Sequence, residues 1–200
     1  MHGLRSTLAL GLLAVWVTGC ITVDGTLRAD GTGTLTMSYV APPGATEASQ
    51  RELLQAPGIT IKSLTLDADR KFSATLDVAD VAAIGKTALF RNITVTTTAQ
   101  GDDQVLTIKV LHQPKTLRDK SIPGPKIGIT LPGKVTEATE NAVVDGTHVA
   151  WSFLLADWIS RPTWELTVHY RPAKAGEADA PGSKQAPAPS GTSKPEAETK

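Results

Sequence analysis

The chain has 200 residues, with 20 lysines and arginines, 20 aspartates and glutamates, and one cysteine. A net charge of zero lacks the basic excess that nucleic-acid binding requires, so we expect no nucleic acid as a partner. A single cysteine excludes an internal disulfide, and the length suits one domain with terminal segments.

Residues 1–19 have the pattern of a bacterial lipoprotein signal peptide. Arg5 precedes an uncharged stretch, Leu8 to Val17, which is too short to cross a bilayer and fits the apolar region of a secretory signal. The stretch leads into VTGC, residues 17–20, which resembles the lipobox at which lipoproteins are acylated and cleaved. We therefore predict cleavage immediately before Cys20.

Cys20 is the predicted lipid-attachment residue, because its thiol can accept a diacylglyceryl group and its freed amine a further acyl chain such as palmitate. Two or more such chains anchor a protein stably, so the membrane is an expected partner. The expected location is the cell envelope, outside the cytoplasm. Ile21, and not aspartate, follows the cysteine, which favours the outer membrane if the organism has two membranes. The alternative is an ordinary secreted protein with a chance cysteine.

Period-two alternation of apolar residues dominates the chain from Ile21 onward and indicates β-strands. Asp-Gly turns and similar polar stretches separate the strands into hairpins. Residues 46–56 and 81–86 are predicted to form short helices, the second capped by Asp80. A change in parity near Lys62 predicts a β-bulge there.

These elements predict an α+β fold in a single domain, residues 20–172. We expect a curved antiparallel β-sheet of hairpins, about eight to ten strands, with one or two short helices against its concave or open side. Residues 173–200 contain no Val, Ile, Leu, Met or aromatic residue. This Ala/Pro/Gly/Lys-rich tail is expected to be disordered, because it cannot bury enough apolar surface to offset the entropy of ordering.

Parts of this sequence resemble one known family. The lipobox leads into an alternating strand, an Asp-Gly turn and TGTLTMSY, and residues 129–153 read ITLPGKVTEATENAVVDGTHVAWSF. This pattern is similar to the LppM-like bacterial lipoprotein domain. The resemblance implies an envelope-anchored ectodomain, residues 20–172, without catalytic residues, for which lipid or glycolipid binding has been proposed. Many members carry a transmembrane helix near the C-terminus, where this chain has a polar tail.

No catalytic motif is found in the sequence, so we expect no enzymatic activity and no cofactor. His148 and His169 lie on the polar sides of their predicted strands, and a metal would need a third ligand for which no residue is suitably spaced. We therefore expect solvated histidines and no metal site. His112 ends an apolar strand face and is expected to be a hydrogen-bonded residue at a strand end.

A basic loop is predicted at residues 113–126, with four basic residues against Asp119 and a local charge of +3. Its stretch SIPGP predicts a stiff tip with one exposed isoleucine. Such a loop suits an anionic lipid headgroup, at about 1 kcal/mol per basic residue; the alternative is a solvated connection between strands. The candidate headgroup contacts are Lys115, Arg118, Lys120 and Lys126.

Two functions fit these observations. The first is a membrane-anchored, non-catalytic envelope lipoprotein whose ectodomain binds a lipid or other amphiphile. The second is a scaffold or assembly module that contacts another envelope protein. An internal pocket of at least about 300 Å³ would favour the first, and an exposed apolar patch without a cavity the second. Trp151, Trp158 and Trp164 either line such a cavity or belong to the core.

Overall fold

The computed structural model describes residues 21–139 and 141–173. The predictions for the signal peptide, for Cys20 and for the tail from residue 174 onward lie outside these described residues.

Strands account for most of the described chain, which also contains two α-helices and one 3₁₀ helix. The helices are α1 (Glu47–Leu54), the 3₁₀ helix (Val81–Lys86) and α2 (Leu155–Ser160). The eleven strands are β1 (Thr22–Leu27), β2 (Gly33–Val40), β3 (Ile59–Leu66), β4 (Lys71–Val78), β5 (Ile93–Gln100), β6 (Asp103–Leu111), β7 (Pro123–Thr130), β8 (Gly133–Ala138), β9 (Val143–Asp145), β10 (His148–Leu154) and β11 (Thr163–Pro172).

The strands form two sheets in one domain. The first sheet has seven strands in the order β3-β4-β2-β1-β7-β10-β9, and the second has four in the order β5-β6-β11-β8. All neighbouring strands are antiparallel except β1 and β7, which pair in parallel and place Thr22 beside Lys126. The predicted α+β class, rich in antiparallel hairpins, is confirmed, although the strands are divided between two sheets.

Local signals in the sequence explain the predicted hairpins and helices. In the β1–β2 turn Gly31 has a φ of +82°, and Asp30 accepts hydrogen bonds from the backbone and hydroxyl of Thr32. The Thr46 hydroxyl accepts from the Ser49 backbone and begins α1, as Asp80 begins the 3₁₀ helix. The pairing of β3 with β4 shifts register between residues 61 and 63, which confirms the bulge near Lys62.

The predicted loop at residues 113–126 is shorter than expected, because β7 already begins at Pro123. Two prolines in this segment disfavoured a strand assignment from sequence. The strand tolerates them because β7 and β10 shift register between Ser152 and Leu154. Gly124 fits at this irregularity, since a Cβ there would lie 2.9 Å from the Phe153 carbonyl oxygen.

Helix α2 was not predicted. Its N-cap residue is Leu154, which forms no side-chain capping hydrogen bond, so the sequence carries no start signal. The helix packs against β7 and β10 and buries Ala156 and Trp158.

Two apolar clusters form the core. One includes Leu54 of α1, Phe72 and Leu76 and covers the β3-β4-β2 side of the first sheet. The other lies between the second sheet and strands β7 and β10, and includes Trp151 and Trp158 with Trp164 packed against it. The tryptophans are therefore core residues, one of the two alternatives that the sequence left open.

Candidate ligand-binding cleft

An apolar cleft lies where the two core clusters meet, with walls from both sheets. Its volume is about 110 Å³. Leu35 of β2 and Ile129 of β7 contribute from the first sheet, Ile108 of β6 from the second, and Ile84 and Phe90 complete the lining. The cleft is partly open to solvent. We therefore regard it as the candidate binding site.

Gly25 explains why there is space at this position. Strand β1 directs Val23 and Leu27 into the cleft, and Gly25 occupies the alternate position between them. A Cβ at Gly25 would meet the Leu35 Cδ1 at 3.7 Å, an ordinary van der Waals distance. A Cβ would therefore fit at this position without a clash, and glycine leaves its space empty. This gap in the alternation was the signal in the sequence from which the cleft could have been found.

The lining limits the chemistry that the cleft supports. Thr26 and Thr34 are the only lining residues with polar side chains, and no lining residue is titratable. The site therefore suits hydrocarbon, and its lining contains no titratable acid or base. An apolar cavity of about 150 Å³ holds benzene, whereas pockets for drug-sized ligands begin near about 300 Å³. At about 110 Å³ the cleft is smaller than the pocket of about 300 Å³ that we took above as favouring ligand binding, and its volume corresponds to a short hydrocarbon segment.

The four candidate headgroup contacts lie near the start of β7. Lys115, Arg118 and Lys120 lie in the connection between β6 and β7, and all three side chains are exposed. Lys126 lies within β7, and its backbone nitrogen donates a 2.8 Å hydrogen bond to the carbonyl of Ile21. Lys126 is thus beside the first described residue of the chain.

The tip of this connection differs from the expectation. Ile122 is half-buried, so the expected exposed isoleucine was wrong. Its carbonyl accepts a 2.9 Å hydrogen bond from the backbone of Leu155, which draws the tip against α2. Asp119 accepts from both the backbone and the hydroxyl of Ser121, and these bonds hold the pKa of its carboxyl below the ordinary value.

His148 and His169 do not form a metal site. They lie in different sheets, and the His148 ring is hydrogen-bonded through Nδ1 to the Thr130 hydroxyl at 3.3 Å. Among residues 21–139 and 141–173, no group of three or more His, Cys, Asp or Glu side chains is placed to hold a metal ion.

His112 differs from its expectation as well. Its Nε2 is buried with no hydrogen-bond partner, and its ring stands edge-on to Trp158 with centroids 5.1 Å apart. Burial lowers the pKa of this imidazole. The expected hydrogen bond is therefore not made by Nε2.

An aromatic cluster joins α2 to both sheets. Phe153 of β10 lies 4.7 Å from Trp158 and 4.9 Å from Trp164 between ring centroids. The two indoles stack at 5.5 Å, and Trp164 donates its Nε1 hydrogen to the carbonyl of Trp158 at 2.8 Å. None of these three rings lines the cleft.

The fold is similar to that of the folded domain of Mycobacterium tuberculosis LppM, determined by NMR. The TM-score is 0.50, and the match covers 78% of this chain and 90% of that one. The sequences are 11% identical, so the likeness concerns the fold alone. No family model matches the sequence, and no curated protein matches it significantly. The resemblance read from the sequence is therefore confirmed as a likeness of fold. None of the described helices has the length and apolarity to cross a membrane.

Proposed function

We propose that this chain is a membrane-anchored, non-catalytic envelope lipoprotein whose ectodomain takes a hydrocarbon segment of an amphiphile into the cleft between its sheets. The observation that carries the proposal is the apolar cleft beside Gly25. The lipobox-like sequence that ends at Cys20 supports the anchoring, and the likeness of fold to the folded domain of Mycobacterium tuberculosis LppM is consistent with the resemblance read from the sequence.

The size of the cleft defines the ligand class. Its volume admits part of one acyl chain, while the remaining chain and the polar headgroup stay outside. Each buried methylene contributes about 0.8 kcal/mol. The few methylenes that fit in the cleft therefore give weak binding, whose strength depends on the acyl chain of the ligand. A protein tethered to a bilayer is surrounded by such chains, and weak affinity is sufficient there.

Filling the cleft tests the proposal. The test protein begins at residue 20 and carries Cys20→Ser, so that it has no acyl chain of its own but retains every described strand. Palmitate binding is measured by titration calorimetry below the micelle-forming concentration. We expect Gly25→Leu to weaken binding by at least about tenfold, because the new side chain occupies the space near Leu35.

The matched control is Thr36→Leu, which adds a leucine to the exposed face of β2. It should bind palmitate like the parent protein. Unfolding curves show whether both variants remain folded. We expect this for Gly25→Leu because glycine is disfavoured in strands, and for Thr36→Leu because position 36 is exposed. Equal palmitate affinity in all three proteins, or no binding by the parent, would exclude the cleft as the site.

Anchoring is tested separately in the full chain in a bacterial host that acylates lipoproteins. Cys20→Ser removes the only thiol that can accept a diacylglyceryl group. We expect the variant to lose the mass increase of acylation and to leave the detergent phase in phase partitioning. Retention of both properties by the variant would refute the lipoprotein assignment.

The scaffold alternative has one observation of its own. Val143 and Val144 are 71% and 46% exposed on β9, the three-residue strand at the edge of the first sheet. An open edge with apolar side chains can accept a strand from another protein. Val144→Lys would then abolish co-purification of an envelope protein while leaving palmitate binding unchanged.

A further inference from the structure

Exposed basic and apolar side chains and a half-buried tryptophan, a combination typical of a membrane-facing surface, lie together at one end of the molecule. We call it the anchor-proximal end: Ile21, the connection 112–122, the start of β7 with Lys126, helix α2, and residues 161–164. Ile21 directly follows Cys20 in the chain, and its carbonyl accepts the 2.8 Å hydrogen bond from the Lys126 backbone. An anchor on Cys20 would therefore be attached at this end.

Backbone hydrogen bonds hold the connection in place. His112 donates to the carbonyl of Pro162 and Lys115 to that of Ile159, both at 2.8 Å, and Ile122 accepts from Leu155. The connection is thus held against α2 and the start of β11 at three points. Its basic side chains therefore project from a fixed backbone, although the segment has no regular secondary structure of its own.

Positive charge is concentrated at this end. Residues 112–126 carry four basic residues and one acidic residue, in a chain whose net charge is zero. The carboxylate of the acidic residue, Asp119, accepts hydrogen bonds from the backbone and the hydroxyl of Ser121, within its own turn. Exposed cations at Arg118 and Lys120 flank that turn, and Lys126 is exposed on β7.

Apolar and aromatic side chains accompany these charges. Leu111, at the end of β6, is 51% exposed, and Leu154, before α2, is 46% exposed. They are two of the four large hydrophobic residues that are exposed in the described ranges. The Arg161 guanidinium lies 4.4 Å from the centre of the half-buried Trp164 ring. Tryptophan, leucine and basic residues together are typical of surfaces that rest at the interface of a bilayer.

We propose that the anchor-proximal end is a docking surface for an anionic lipid bilayer. Arg118, Lys120 and Lys126 contact phosphate headgroups, and Leu111 and Leu154 enter the interfacial region. The lipid anchor on Cys20 would be attached at the same end as this docking surface. The anchor would therefore keep the surface close to the bilayer, and at that high local concentration even weak docking becomes effective. The ectodomain is thereby oriented with its β1–β2 turn away from the membrane.

The first experiment tests the charges without the tether. The Cys20→Ser protein beginning at residue 20 is sedimented with vesicles of phosphatidylcholine, with or without phosphatidylglycerol. We expect binding to the anionic vesicles alone, and a decrease as salt is raised, since exposed charges are screened over about 8 Å at physiological ionic strength. Arg118→Glu with Lys120→Glu should weaken this binding by at least about tenfold.

The matched control reverses two charges at the other end of the domain, one beside each sheet. Arg28 follows β1, Lys134 lies near the start of β8, and both are exposed. Arg28→Glu with Lys134→Glu changes the net charge by the same amount and should leave vesicle binding unchanged. An equal loss in both double variants would show attraction by overall charge only, and would overturn the docking surface.

The second experiment tests the leucines. Leu111→Ser with Leu154→Ser should reduce the fraction bound to anionic vesicles at high salt, where the apolar contribution remains. Val143→Ser with Val144→Ser removes the other two exposed hydrophobic residues and should not change it. Circular dichroism verifies the fold of each variant. Identical behaviour of the two pairs would contradict the leucine contacts.

The docking surface and the cleft are separable. Gly25→Leu should weaken palmitate binding and leave vesicle binding unchanged. Arg118→Glu with Lys120→Glu should weaken vesicle binding and leave palmitate binding unchanged. Failure of the parent protein to bind anionic vesicles would refute the docking surface and leave the proposed cleft standing.

Discussion

At the residue scale, Tyr39 and Gln50 form the buried polar contact that joins α1 to the first sheet. The hydroxyl of Tyr39 donates to the Gln50 Oε1, and the two residues are 2% and 3% exposed. Burial raises the pKa of Tyr39 to about 12, so the hydroxyl remains a donor at neutral pH. Helix α1 therefore depends on a specific partner as well as on the apolar contacts of Leu54.

Removing the hydroxyl alone should be costly. Tyr39→Phe leaves the Gln50 oxygen buried without a donor, and we expect the free energy of unfolding in urea to fall by about 1–3 kcal/mol. Replacing both groups, Tyr39→Phe with Gln50→Leu, should restore much of that loss because no buried polar atom is left unpaired. A neutral effect of the single change would show that water reaches the Gln50 amide.

His112 predicts a pH dependence of stability. Burial lowers the pKa of its imidazole in the folded state, whereas the unfolded chain protonates at about 6.5. Between these values the unfolded state binds more protons, so stability rises with pH and is lost as pH falls below about 6.5. We expect the parent protein to lose more stability than His112→Leu between about pH 7.5 and pH 5.5, measured by urea unfolding. His169→Leu is the control, and parallel curves for all three proteins would contradict this role.

At the element scale, the junction of β7 and β10 depends on Gly124. A Cβ at this position would lie 2.9 Å from backbone atoms of Phe153, Leu154 and Leu155, none of which can rotate away. Gly124→Ala should therefore force the two strands apart and lower the free energy of unfolding by about 1–3 kcal/mol. Gly25→Ala is the matched control, because its Cβ has ordinary contact distances and should be tolerated. Equal stability of the two variants would mean that the backbone of β10 can shift at its register change without a measurable loss of stability.

The sequence predicted those elements that depend on neighbours along the chain. Alternation and Asp-Gly turns gave the β1–β2 hairpin, a run of helix-favouring residues gave α1, and the Asp80 cap gave the 3₁₀ helix. The parallel pairing of β1 with β7 was not predicted, because strand periodicity does not indicate which distant strand is adjacent. Helix α2 was missed since its uncapped start follows a strand directly. The cleft needs both sheets, and only the gap at Gly25 was visible in the sequence.

At the scale of the whole molecule, the last strand defines where the folded domain ends. Pro172 pairs with Gly133, and the backbone nitrogen of Ala173 donates to the carbonyl of Pro132 at 3.2 Å. The composition of the tail beyond this point predicts no burial of apolar surface. A protein truncated after Ala173 should therefore keep the melting temperature of the longer chain.

The control truncation ends after Tyr170. It removes Arg171 with its 2.9 Å ion pair to Asp103, and the pairing of Pro172 with β8. We expect this shorter protein to melt at a lower temperature in calorimetry. A fall of several degrees on truncation after Ala173 would instead mean that residues of the tail pack on the domain.

The parallel pairing of β1 with β7 has a consequence for how the chain folds as it is made. The β1–β2 hairpin emerges first, but one edge of β1 acquires its neighbour only when Pro123–Thr130 arrives, about a hundred residues later. Contacts so distant in sequence form slowly, because a long loop must close before they contribute. Until then the first sheet has an unpaired edge at its centre, which is a site for aggregation. Chaperones that shield exposed strands would therefore be most needed during this interval.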